Sequence, residues 1–109
     1  MWLATQYGFY SIVQKKPGEF HVRGRVRRDL ENLVQAAGLK AEILTTKPAD
    51  YRYRMVVGQD DVNRIMKCLA ENIDYPNFKS CIGQKKDQRA KLDAYHEVWS
   101  TVYRLQEER

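Results

Sequence analysis

The 109-residue sequence predicts a single α+β domain, residues 1–109. It reads as a two-layer sandwich: an about four-stranded, mainly antiparallel sheet with helices on one face, in the order β-β-α-β-β-α-α. Three observations carry this. Apolar and charged residues alternate over 20–26 and 51–57, the two-residue period of a half-buried strand. Apolar residues recur every three or four positions over 26–37, 62–73 and 92–103, the helical period. Pro17-Gly18 separates two strand-like runs, where proline presets one φ and glycine supplies a positive one, as a turn needs.

The run 2–14 holds Trp2, Tyr7, Phe9, Tyr10, Ile12 and Val13, aromatic and β-branched types that favour strands. Gly8 interrupts it and marks a bulge or tight bend. Phe20–Val26 returns as the second strand, so 8–26 forms a β-hairpin. Its period places Phe20, Val22, Gly24 and Val26 on one face and His21, Arg23, Arg25 and Arg27 on the other. From Arg27 to Ala37 the pattern turns helical, with Val26, Leu30, Leu33, Val34 and Ala37 in one stripe. Asp29 and Glu31 lie near the helix start, where the dipole favours acids, and Gly38 is the stop.

Ala41–Thr46 reads as a short strand, broken by Lys47-Pro48. Tyr51–Val57 is a fourth, with Tyr51, Tyr53, Met55 and Val57 on one face and Arg52, Arg54 and Val56 on the other. Asp60 or Asp61 caps a second helix with the stripe Val62, Ile65, Met66, Leu69 and Ile73. Asp74-Tyr75-Pro76 reads as a cap followed by an early helical proline, opening short turns over 75–82 that Gly83 stops. Asp87 caps the last helix, about 88–106, which carries Leu92, Tyr95, Trp99, Val102 and Tyr103 on one side.

Hydrophobic residues at 43% and aromatics at 11% support a packed core and argue against disorder. No apolar run reaches the ~20 residues of a membrane span, and no membrane partner is expected. Met1–Thr5 lacks the basic and apolar segments of a secretory signal. Cys68 and Cys81 are too few for a disulfide framework. Together these imply a cytoplasmic protein with reduced thiols. A net charge of +5 favours polyanions as partners.

The first candidate site is a basic sheet face for nucleic acid: Arg23, Arg25, Arg27, Arg52 and Arg54, with Tyr10, or Tyr7 or Phe9, among them. Forked guanidinium groups hold phosphates, and rings stack on unpaired bases. The same alternation also describes a strand's plain solvent face. Gly8–Val13 has a faint outline of the RNP1 pattern of RNA-recognition modules, without a second motif beside it. The second candidate is Tyr75, Asn77, Phe78 and Lys79, either a partner-binding segment or a connector whose rings plug the core.

The third candidate is catalytic. His21 and His96 would serve a metal-independent ribonuclease as base and acid if the fold brought them together. No catalytic residue is otherwise indicated. His96-Glu97 begins like a zinc-protease helix, but Ser100 stands where the second histidine is required. Two cysteines and two histidines without a CxxC make a structural zinc improbable. With no glycine-rich phosphate loop and no Gly-x-Ser-x-Gly elbow, no cofactor is expected.

Landmarks along nearly the whole chain form a recognisable set: Met1-Trp2-x-x-Thr5, Gly8-Phe9-Tyr10-Ser11-Ile12-Val13, Asp74-Tyr75-x-Asn77-Phe78-Lys79 and Tyr95-His96-x-x-Trp99, together with 22–30 and 49–54. They resemble a family of small, uncharacterised single-domain proteins of bacteria and their phages. The resemblance implies a free-standing cytosolic domain and carries over no activity. Phage occurrence implies a role in host takeover or in blocking a defence system.

The expected function is a small basic, non-enzymatic binding module engaging RNA or a single strand through the arginine face. The alternative is a protein-interaction or inhibitor module acting on a host or defence protein, and a metal-independent ribonuclease is the third reading. The chain is expected to be a monomer or, through an exposed edge strand at Trp2, a homodimer.

Overall fold

The aromatic run at the start of the chain folds as two strands rather than one. In a computed structural model that describes residues 1–107, β1 (Trp2–Ala4) and β2 (Phe9–Lys16) flank a tight turn at 5–8. Thr5 and Gly8 exchange backbone hydrogen bonds across it, and the Thr5 hydroxyl oxygen accepts from the N–H groups of Tyr7 and Gly8. Gly8 is the bend, and a close approach explains why it is glycine: a Cβ there would collide with Cβ and Cγ of the buried Asp29. Asp29 Oδ2 in turn accepts the N–H of Phe9, tying the turn to the first helix.

Gly18, at φ 78°, makes the second turn, and β3 (Glu19–Gly24) returns antiparallel to β2. Helix α1 (Arg27–Ala37) follows and ends on Gly38 in the left-handed region, φ 66°. Two further strands complete the sheet: β4 (Leu44–Thr45), only two residues long, and β5 (Tyr53–Val57). The order is β1-β2-β3-β5-β4, antiparallel at every pairing. The α+β class therefore holds, with five strands because the first run splits at its turn.

Helices α1 and α2 (Gln59–Glu71) cover one face of this sheet. Leu30, Leu33, Ala37, Leu39 and Ile65 close against Tyr10, Ile12, Val22, Met55 and Val57. The predicted stripes supply these contacts except at their ends. Val26 precedes α1 and Ile73 lies beyond α2, and both are exposed. Asp60 and Asp61 sit inside the first turn of α2, and Gly58 is the position ahead of it. Acidic side chains there still meet the positive end of the helix dipole.

These elements form one compact unit, Met1–Asp74; a second runs from Tyr75 onward. In the second, α3 (Phe78–Gly83) leads through a 3-10 turn at Arg89–Lys91 into α4 (Leu92–Tyr103), which tightens into another at Arg104–Glu107. Asn77, not Asp74, caps α3: its Oδ1 accepts the Ser80 N–H at 2.9 Å. Gln88, not Asp87, precedes the first 3-10 turn. Phe78 packs edge-on against the buried Tyr95, with ring centroids 5.1 Å apart. The rest of the α4 stripe is exposed at Trp99, Val102 and Tyr103, as is Val98 beside it. Among the described residues no helix is long and apolar enough to cross a membrane.

Candidate functional site

Register decides what shares the sheet face turned away from α1 and α2. Trp2 pairs with Ser11, Ser11 with Arg23, Arg23 with Arg54, and Arg54 with Leu44. These residues form a single row across the whole sheet. The two-residue period adds Ala4, Phe9, Val13, His21 and Val56 to the same face.

Arg23 and Arg54 therefore stand directly opposite each other on neighbouring strands, an arrangement that is repulsive by itself. Each is tethered by one neutral neighbour. Arg23 Nη2 donates to Ser11 Oγ at 2.7 Å, and Arg54 Nη1 donates to His21 Nδ1 at 3.2 Å. The Nε–H groups of both arginines are buried and make no hydrogen bond among the described residues. Arg23, Arg25, Arg52 and Arg54 form no ion pair with any described carboxylate.

A guanidinium can only donate, so His21 Nδ1 must be the acceptor in this contact. The ring proton then sits on Nε2 and is donated to Glu19 Oε2, 3.1 Å away. His21 is thus a neutral spacer between a carboxylate and an arginine. Its hydrogen bond is the main reason the Glu19 carboxyl titrates below its ordinary value; Lys16, 3.5 Å from Glu19, adds to the effect.

Tyr51 belongs to this site and not to the core. β5 begins at Tyr53, so the alternation does not reach back to Tyr51. Its ring, 4% exposed, lies beneath two guanidinium groups, with Arg23 Cζ 4.6 Å and Arg25 Cζ 4.2 Å from the centroid. Such stacking fixes the planes of both arginines.

Two of the predicted nucleic-acid contacts need correction. Tyr10 is fully buried on the inner face and donates its hydroxyl to the Asp29 carbonyl, so its ring cannot stack on a base. Its parity relative to Arg23 depends on the β2–β3 register, which sequence spacing does not reveal. Arg27 is not on the sheet at all. β3 ends at Gly24, and Arg27 opens α1, where its Nε donates to Glu31 Oε2 at 3.2 Å. Arg52 is exposed just before β5. The rings that do occupy the arginine face are Trp2, 74% exposed, and Phe9, with centroids 6.2 Å apart. Phe9 was one of the rings the sequence offered for this face; Trp2 was not, because 2–14 read as one strand.

The other candidates lie in the second unit. Tyr75 and Phe78 are half-buried, with ring centroids 6.3 Å apart, and the side chain of Asn77 is engaged as the cap of α3. Lys79 Nζ is 3.3 Å from His96 Nδ1 and 5.0 Å from the centre of the Trp99 ring. His96, Trp99 and Tyr103 stack in sequence along α4, with successive centroids 5.8 Å and 5.2 Å apart. His21 and His96 belong to different units, each with its own partners. Both cysteines are free, and among the described residues no cluster of His, Cys, Asp or Glu could hold a metal ion. No family model, no curated protein and no solved structure matches this chain, so its site is read from its own geometry.

Proposed function

We propose that the protein is a non-enzymatic module that binds nucleic acid, RNA or another single strand in preference to duplex, through the face bearing Arg23, Arg25, Arg52 and Arg54. One observation supports this above all: these cations form no direct ion pair with a carboxylate among the described residues, whereas Arg27 and Lys16 elsewhere in the chain do. A buried N–H left without a partner costs about 1–3 kcal/mol, and Arg23 and Arg54 each hold one. Phosphate oxygens on this face would offset the repulsion between the opposed guanidinium groups. Binding of labelled single-stranded RNA across a salt series tests the reading. Log affinity is expected to fall with log salt at about −0.7 per phosphate contacted, and Arg23→Glu with Arg25→Glu is expected to abolish binding. No binding at low salt, or no loss in the double variant, sinks the proposal.

A second reading is a protein-interaction or inhibitor module, acting on a host or defence protein through Tyr75, Lys79 and α4. The exposed apolar side chains Val98, Trp99, Val102 and Tyr103 favour it, because contiguous apolar surface commonly marks a protein contact. Capture from a nuclease-treated bacterial lysate separates the two readings, since a partner that disappears with the nuclease argues against this one. The ribonuclease reading gains no support from the surroundings of either imidazole.

A further inference from the structure

We infer that Trp2 and Phe9 are the base-stacking platform of the arginine face, and that a single strand crosses the sheet with bases over β1–β2 and phosphates over Arg23 and Arg54. The inference rests on the nucleic-acid reading above and specifies its ligand path.

Trp2 has no structural task that its exposure would serve. Its neighbour Leu3 points inward and packs against the core, while the Trp2 ring is 74% exposed on the opposite face. It is not an isolated ring, since Phe9 lies beside it with centroids 6.2 Å apart. The two side chains share the face and, for Trp2, the very row that carries Ser11, Arg23 and Arg54. Strands are about 4.8 Å apart, so Trp2 lies roughly 10 Å from Arg23 and roughly 14 Å from Arg54 along this row. A few nucleotides of extended single strand span that distance.

The chemistry divides along the row. Every base has a π-face that a tryptophan can cover, whatever the sequence, and the arginines meet the backbone. Ser11 and His21 hold the guanidinium groups in place before any ligand arrives. A duplex keeps its bases stacked on one another and offers none to Trp2, so the platform selects single strands. A purely acidic protein segment would satisfy the arginines and leave the rings without a role.

The test uses the full chain with Trp99→Phe, which leaves Trp2 as its single tryptophan. Single-stranded RNA is titrated while Trp2 fluorescence and the anisotropy of the labelled RNA are read together. Heparin, polyglutamate and the matched RNA duplex serve as probes. Trp2 emission is expected to quench with the same midpoint as the anisotropy change. Trp2→Ala is expected to weaken single-strand binding about tenfold, and Trp2→Phe to stay within about threefold of the parent. Circular dichroism establishes that each variant is folded. RNA binding with unchanged Trp2 emission and full affinity in Trp2→Ala overturns the platform while leaving the arginine reading intact. Polyglutamate or heparin binding as tightly as RNA, with equal quenching, overturns it in favour of a general polyanion or acidic protein partner. No RNA binding by the unmodified protein at low salt overturns both.

Discussion

The two faces of the sheet are built by the same strands, one residue out of phase, and they follow opposite rules. On the inner face Tyr10, Ile12, Val22, Met55 and Val57 are buried against α1 and α2. On the outer face Arg23 and Arg54 oppose each other without an ion pair to a carboxylate among the described residues, and the tyrosine beneath Arg23 and Arg25 fixes those two rather than neutralising them. The inner face buries apolar area, worth about 25 cal/mol per Å². The outer face holds like charges that oppose folding. The contrast teaches that a well-closed core lets the opposite face keep an arrangement that local stability alone would remove. Binding sites commonly pay in this way.

The sharpest way to break the comparison is at Met55, which has no exposed surface, pairs with Val22 across β5 and β3, and belongs to the core cluster with Leu30, Leu33 and Ile65. Met55→Ala is expected to lower unfolding free energy by about 2–5 kcal/mol in a denaturant titration. A loss below about 1 kcal/mol would mean that the inner face is not where stability resides. The next test inverts the sign. Arg23→Glu places a carboxylate opposite Arg54 and exchanges repulsion for attraction, at the loss of the Ser11 contact. Thermal stability is expected to stay level or to rise by about 0.2–1 kcal/mol while anion binding falls. A clear drop in Tm would show that Arg23 is there for the fold.

The smallest effect concerns Glu19. Its carboxyl titrates below its ordinary value of 4.5 because His21 donates to it and Lys16 is near. A carboxyl whose folded pKa is lowered contributes stability that is fully present above the unfolded value and is lost as pH falls through the folded one. Glu19→Gln should therefore flatten the acid limb of a Tm-against-pH curve below pH 4.5 and leave neutral pH nearly unchanged. Identical acid limbs would show that the Glu19–His21–Arg54 chain of contacts does not persist in solution.

The sequence was most legible where one period governed a whole element. Phe20 to Gly24 sorted correctly into two faces, and Leu30, Leu33 and Ala37 were correctly placed in the core. It was least legible where a strand's end or its partner's register decided the outcome. Extending the β5 alternation by two residues misplaced Tyr51, although its real neighbours are Arg23 and Arg25. Tyr10 went to the wrong face because nothing local reveals that Ser11, not Tyr10, aligns with Arg23. Trp2 was read only as an exposed edge and not as a member of the arginine face, because the hydrogen bonds of Thr5 turn the chain back within a stretch of uniformly strand-like composition. In the second unit the helical period was read correctly over α4, but period does not say whether a stripe is covered, and most of this one is not.

The sheet order has a consequence in time. β2 and β3 are adjacent in sequence and can zip together from their turn, but β3 finds β5 only after α1 and β4 have been made. His21 and Arg54 are 33 positions apart. Non-local pairings of this kind form slowly because loop closure must precede their reward. During synthesis, at roughly 5–20 residues per second, a chain that has emerged only as far as α1 carries the hairpin and half of the opposed arginine pair. The finished surface is therefore out of reach of any chain that stops short of β5, because Arg54 arrives only with that strand.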